Sequence, residues 1–168
     1  MMLAGFWSAI TMITSQWVLA WMVQLAPHTP WRFTYDETAE AIAEAANQET
    51  LFPGDPEESK KIAAILLAIA FTETRFQPSA IGDNGRSFGL FQIQPPTANM
   101  PMNMLTLPKT ASRIAVSLIR TSLKVCGRFP WHERLGWYAA GGTGCKERGR
   151  HKSESRMRLA ERIVQEEP

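Results

Sequence analysis

Apolar positions recur along this chain at intervals of three and four, which predicts helices, and runs of proline and glycine separate them. Met1 to Trp31 holds no Asp, Glu, Lys or Arg and is rich in Leu, Ile, Val, Met and Trp, which makes an apolar helix there. Pro27 and Pro30 end that segment, because proline lacks a backbone donor and restricts the residue before it. From Asp36 to Glu49 the run DETAEAIAEAANQE combines strong helix formers with acids in the first turn, where the helix dipole favours them. LFPGDP, residues 51 to 56, breaks it. The next helix starts around Pro56 to Ser59, carries Ile62, Ile65, Leu66, Ile69 and Ala70 as one core stripe, and delivers Glu73 at its C-terminal end.

After it, Gln77 to Arg86 (QPSAIGDNGR) is turn chemistry and predicts a loop or short hairpin. Thr110 to Val125 reads as an amphipathic helix ended by Gly127. A shorter helix around Trp131 to Ala140 ends at Gly141 and Gly142, and a last one runs from Ser153 to Glu166 with Ser153 as its N-cap. There is no internal repeat and no series of alternating strands. The pattern predicts a mainly α domain with at most a small β-hairpin, preceded by the apolar N-terminal helix, with the boundary at residues 30 and 31.

A chain of 168 residues, 45% hydrophobic and 20% charged, is long enough for one domain with its own core and ordinary enough in composition to exclude a fibrous or wholly disordered class. The net charge of +2 conceals an asymmetry: residues 1 to 100 hold 5 basic and 10 acidic side chains, residues 101 to 168 hold 13 and 6. A basic half suits nucleic acid, a membrane surface or an anionic wall polymer, but solvated helix faces give the same counts. Without a recognisable module, no nucleic-acid partner is expected. Three readings of the N-terminal segment are open: an uncleaved signal anchor giving membrane contact through residues 1 to 26, an apolar helix buried in the domain or an assembly, and an atypical cleaved signal lacking a basic leader.

Glu73 is the one acid between Glu58 and Asp83, and it follows the apolar run IAAILLAIAFT. An acid there has plain readings, solvated or paired with Arg75, and a chemical one, a general acid whose proton is kept by burial. The string around it, AIAFTETRFQPSAIGDNGRSFGLFQIQPPTA at residues 68 to 98, resembles the lysozyme-like lytic transglycosylases and the goose-type lysozymes. In those families a helix ends in a catalytic Glu followed by Ser or Thr and then Phe, matched by Glu73, Thr74 and Phe76. A loop leads to Gly-Leu-x-Gln, matched by Gly89, Leu90, Phe91 and Gln92. A later Tyr-Asn-Ala-Gly motif appears as Tyr138, Ala139, Ala140 and Gly141, with Ala139 in place of the Asn.

The resemblance implies a lysozyme-like α+β fold and cleavage of peptidoglycan at the β-1,4 bond between N-acetylmuramic acid and N-acetylglucosamine, with Glu73 protonating the leaving oxygen. It makes Ser87, Gly89, Gln92, Tyr138 and Gly141 candidate substrate-binding residues: Gly89 where a polysaccharide or a second backbone segment comes close, Gln92 as a donor and acceptor for N-acetyl groups, Tyr138 as a phenolic donor toward Glu73 or the sugar. Asp83 has two readings. A matching Asp precedes the same loop in goose-type lysozymes, which makes it a second catalytic carboxylate, and Asp-Asn-Gly is also a turn in which Asp bonds the backbone. The goose-type pattern has a further acid after Ile93, where this chain has Gln94.

A lytic transglycosylase forming 1,6-anhydro products is therefore expected, with a goose-type hydrolase using Asp83, or a non-catalytic component of a phage particle or secretion machine, as the alternatives. No cofactor or metal is implied, since His28, His132 and His151 form no ligand motif. The substrate implies a periplasmic or other extracytoplasmic location, secreted, membrane-anchored or virion-associated. Cys126 and Cys145, the only cysteines, flank the helix bearing Tyr138; in an oxidising compartment they are expected to bond, and the alternative is two free thiols.

Overall fold

The computed structural model describes residues 12–146 and 149–168; residues 1–11 of the apolar segment lie outside the described part. Helix α1 (Ser15–Leu25) is capped by Thr14, whose hydroxyl accepts from the N–H of Trp17 at 3.2 Å. It is followed by α2 (Tyr35–Gln48) and α3 (Glu58–Thr74), then a two-stranded antiparallel hairpin, β1 (Ile81–Gly82) and β2 (Ser87–Phe88), with Ile81 opposite Phe88 and Gly82 opposite Ser87. Two single-turn helices, α4 (Pro95–Ala98) and α5 (Met102–Leu105), lead into α6 (Pro108–Val125), α7 (Gly136–Ala140) and α8 (Arg150–Gln165). The domain is mainly helical with one small hairpin, as the sequence pattern predicts.

α3 is the axis of the molecule. Every residue from Ile62 to Ala70 is buried, so the helix is enclosed on all sides rather than along the single stripe expected. Four alanines in this span and five in α2 keep side chains short, and α1, α2, α6 and α8 all pack on α3. The charge-free α1 spends its apolar side chains on this core: Val18, Trp21 and Met22 are buried, and Ile13 just before it exchanges hydrogen bonds with the amide of Asn47 at 2.9 and 2.8 Å. Among the described residues no helix is long and apolar enough to cross a membrane.

Two local differences from the pattern concern α7 and α8. The stretch from Trp131 to Ala140 is a 3-10 turn (Trp131–Glu133) followed by α7, not one continuous helix. The last helix begins at Arg150 with Gly149 as its cap, so Ser153 is not the N-cap. Its hydroxyl is used elsewhere: it donates to the carbonyl of His132 at 2.7 Å and accepts from the N–H of Leu135 at 2.9 Å, fixing the turn that leads into α7. A disulfide joins Cys126 to Cys145 with their Cα atoms 5.5 Å apart, tying the end of α6 to the segment after α7.

Candidate active site

Glu73 stands in the last turn of α3, and three features fix that end. Arg75 and Phe76 both take left-handed backbone conformations, with φ of 49° and 66°, and their N–H groups return to the carbonyls of Phe71 and Ala70 at 3.0 and 3.3 Å. Phe76 is buried edge-on against Tyr35, ring centroids 5.8 Å apart, and Trp31 donates its indole N–H to the carbonyl of Arg75 at 2.8 Å. The hydroxyl of Thr74 donates to Ala70 and to the carbonyl of Leu90, at 3.1 and 3.0 Å. The Glu-Thr-x-Phe motif is thereby a clamp: Thr74 holds the Gly-Leu-x-Gln loop and Phe76 holds the core, while Glu73 faces the cleft.

The carboxylate lies in a cleft of about 490 Å³ whose walls come from the hairpin and its following loop (Asp83, Ser87, Phe91, Gln92, Gln94), from α6 (Leu118), and from α7 and its end (Trp137, Tyr138, Gly141). The Glu73 side chain is 21% exposed. Its Oε1 accepts from Nη2 of Arg156, a residue of α8 that is 3% exposed; Arg75, the partner considered from sequence, is exposed on the surface.

Of the six other residues singled out from sequence, five line this one cleft beside Glu73: Asp83, Ser87, Gln92, Tyr138 and Gly141. Ser87 is buried and donates to Oδ2 of Asp83, while Asp83, Asn84 and Gly85 have φ of 50°, 55° and 83° and form the tip of the hairpin. Gln92 turns its amide inward, donating to the carbonyl of Gly89 at 3.0 Å, so it closes the loop that presents it. Gly89 sits behind the wall. At its φ of 74° a Cβ would stand 1.9 Å from the carbonyl oxygen of Leu105, so the segment approaching it is the backbone of α5. The phenol of Tyr138 donates to the carbonyl of Phe91 at 3.0 Å. Burial pushes this phenol's pKa above its ordinary value; the nearby Arg156 guanidinium opposes the shift and the Glu73 carboxylate adds to it.

Trp137, Leu118, Lys152 and Arg156 belong to the site and were not found from the sequence. Trp137 adjoins the Tyr138 motif, which is the one signal that pointed to it. The two bases sit among the many on α8 and carry no local mark.

An all-helical enclosure around one axial helix, ending in a carboxylate over a polar cleft beside a small hairpin, is the lysozyme-like arrangement. A family model described as "Transglycosylase SLT domain" matches residues 56–160, from just before α3 into α8, and the chain belongs to that family. Members of the family are peptidoglycan lytic transglycosylases, and their substrate lies outside the cytoplasm. No curated protein and no solved structure matches the chain.

Proposed function

We propose that this protein cuts the β-1,4 bond between N-acetylmuramic acid and N-acetylglucosamine with Glu73 as its single acid and base, leaving 1,6-anhydro ends. The observation that carries the reading is the different standing of the two carboxylates in the cleft. Glu73 is held on the rigid end of α3, whereas Asp83 sits at a left-handed position in the hairpin tip with one oxygen occupied by Ser87. Gln94 stands on the cleft wall where a goose-type pattern would supply another acid.

In the first step the proton of Glu73 passes to the glycosidic oxygen as its bond to the anomeric carbon breaks. The carboxylate then takes the proton of the sugar's own 6-hydroxyl as that oxygen bonds to the anomeric carbon. Glu73 ends protonated, and no water is consumed. A tethered nucleophile also avoids much of the entropy cost of capturing a separate water. Trp137 offers an aromatic face in the cleft for a sugar ring, and Gly141 a wall without a side chain. The protein is proposed to work outside the cytoplasm, secreted or held on a membrane or particle.

Digestion of purified peptidoglycan in heavy-oxygen water tests this. Anhydro ends without label are expected, with no product from Glu73→Gln. Labelled reducing ends would replace the reading with hydrolysis and make Asp83 the group that holds the water.

A further inference from the structure

Arg156 approaches Glu73 from a helix 83 residues further along the chain. A guanidinium that is 3% exposed has lost its water and needs a counter-charge and hydrogen-bond acceptors close by. It receives one hydrogen-bonded ion pair and one ring contact. Nη2 pairs with Oε1 of Glu73, and the guanidinium carbon stands 5.9 Å from the centroid of the Tyr138 ring, within cation–π range. Nη1, equally buried, has no partner among the described residues.

This half-satisfied state is unusual for arginine beside a carboxylate. The favoured geometry is a fork that closes on both oxygens, and a buried donor left without a partner is a cost to folding. A closed fork would place a guanidinium donor on both oxygens of Glu73 and favour its ionised form at each. The single-point contact leaves Oε2 unbonded by any described residue.

The geometry points to Arg156 as a positioning residue for Glu73, fixing Oε1 so that Oε2 is the oxygen that gives up and regains the proton. This rests on the reading of Glu73 as the acid. The shared contact with Tyr138, which is bonded to Phe91 and so to the Gly-Leu-x-Gln loop, joins α3, α7 and α8 around the reacting atom. Arginine acts here through Glu73 and makes no contact with the bond that breaks.

The test is steady-state kinetics on purified glycan strands for the wild type, Arg156→Met and Arg156→Lys, with melting curves to establish folding. A misoriented acid loses rate and leaves binding alone, so Arg156→Met should lower kcat by about 100-fold while KM stays within about threefold. Arg156→Lys supplies the charge on a more flexible stem, without the planar group held over the Tyr138 ring, and should restore about tenfold of that loss. A Met variant with wild-type kcat, or one whose loss is entirely in KM, overturns the inference, as does a Lys variant no better than Met. If Arg156→Met does not fold, Arg156→Lys decides alone: wild-type kcat in that variant overturns the inference, because a buried cation then suffices, whereas a kcat about tenfold low at unchanged KM supports positioning. Wild-type protein that leaves the strands uncut overturns the proposed function and this inference together; active wild type with an equally active Met variant overturns only the inference.

Discussion

The phenol of Tyr138 donates to the backbone carbonyl of Phe91, 47 residues earlier in the chain, at 3.0 Å. This bond fastens α7 to the loop that forms the opposite wall of the cleft, so the phenol is a strut between walls rather than a direct partner of Glu73.

Replacing Tyr138 by Phe should cost about 1 kcal/mol, the usual net worth of one such bond. The pH dependence is more diagnostic. A phenol whose pKa is raised by folding keeps its proton in the folded chain after the unfolded chain, near pH ~10, has released it. Its stabilising share is therefore complete below about pH 10 and lost as pH rises through the raised folded value. Urea unfolding of wild type should weaken more steeply above about pH 10 than that of Tyr138→Phe; parallel curves would remove the burial argument.

Gly89→Ala should be strongly destabilising, because a Cβ would meet the carbonyl oxygen of Leu105 at 1.9 Å and an L side chain is strained at its φ of 74°. The two effects together amount to at least ~2 kcal/mol. Gly85, with φ of 83° at the hairpin tip and nothing within 4 Å of its would-be Cβ, bears only the conformational part. Thermal melts in which Gly89→Ala is no worse than Gly85→Ala would disprove the close approach.

The disulfide between Cys126 and Cys145 closes a loop with a sequence separation of 19 and spans the whole of α7. A loop of that size is worth roughly 3 kcal/mol through restriction of the unfolded chain. Replacing both cysteines by Ser should lower the denaturation midpoint accordingly. The same midpoint with and without reductant in wild type would show that the bond adds nothing.

Trp21 is 1% exposed although it lies in the segment that composition sets apart. If α1 is part of the core, Trp21→Ala costs about 3 to 5 kcal/mol, as for other large aromatic truncations. A loss below about 1 kcal/mol, measured by denaturant unfolding, would instead make α1 a loosely attached appendage.

The parts of the site that were legible in the sequence are those whose chemistry is local. Glu73, Thr74 and Phe76 act within one helix end, and the Asp-Asn-Gly turn and Gly89 announce backbone conformations that few other residues adopt. Arg156 was illegible because its partner is 83 residues away and its neighbours on α8 are bases of the kind that cover any solvated helix. Ser153 misled for a related reason: a serine near a helix start reads as a cap, and only the folded chain shows that the His132 carbonyl has claimed its hydroxyl. The axial burial of α3 was half visible, as a stripe, because alanines between the larger residues carry no periodic signal.

Since Ile62 to Ala70 touch neighbours on every side, α3 cannot be shifted, rotated or shortened without rebuilding four other helices. The acid thus inherits its coordinates from the most constrained part of the molecule, while the hairpin tip at Gly85 and the end of α7 at Gly141 and Gly142, with nothing within 4 Å of where a Cβ would stand, carry no such obligation. Changes in which glycan is accepted, whether by natural variation or by engineering, have room only in those two flanks, and the chemistry at Glu73 would be carried through them unaltered.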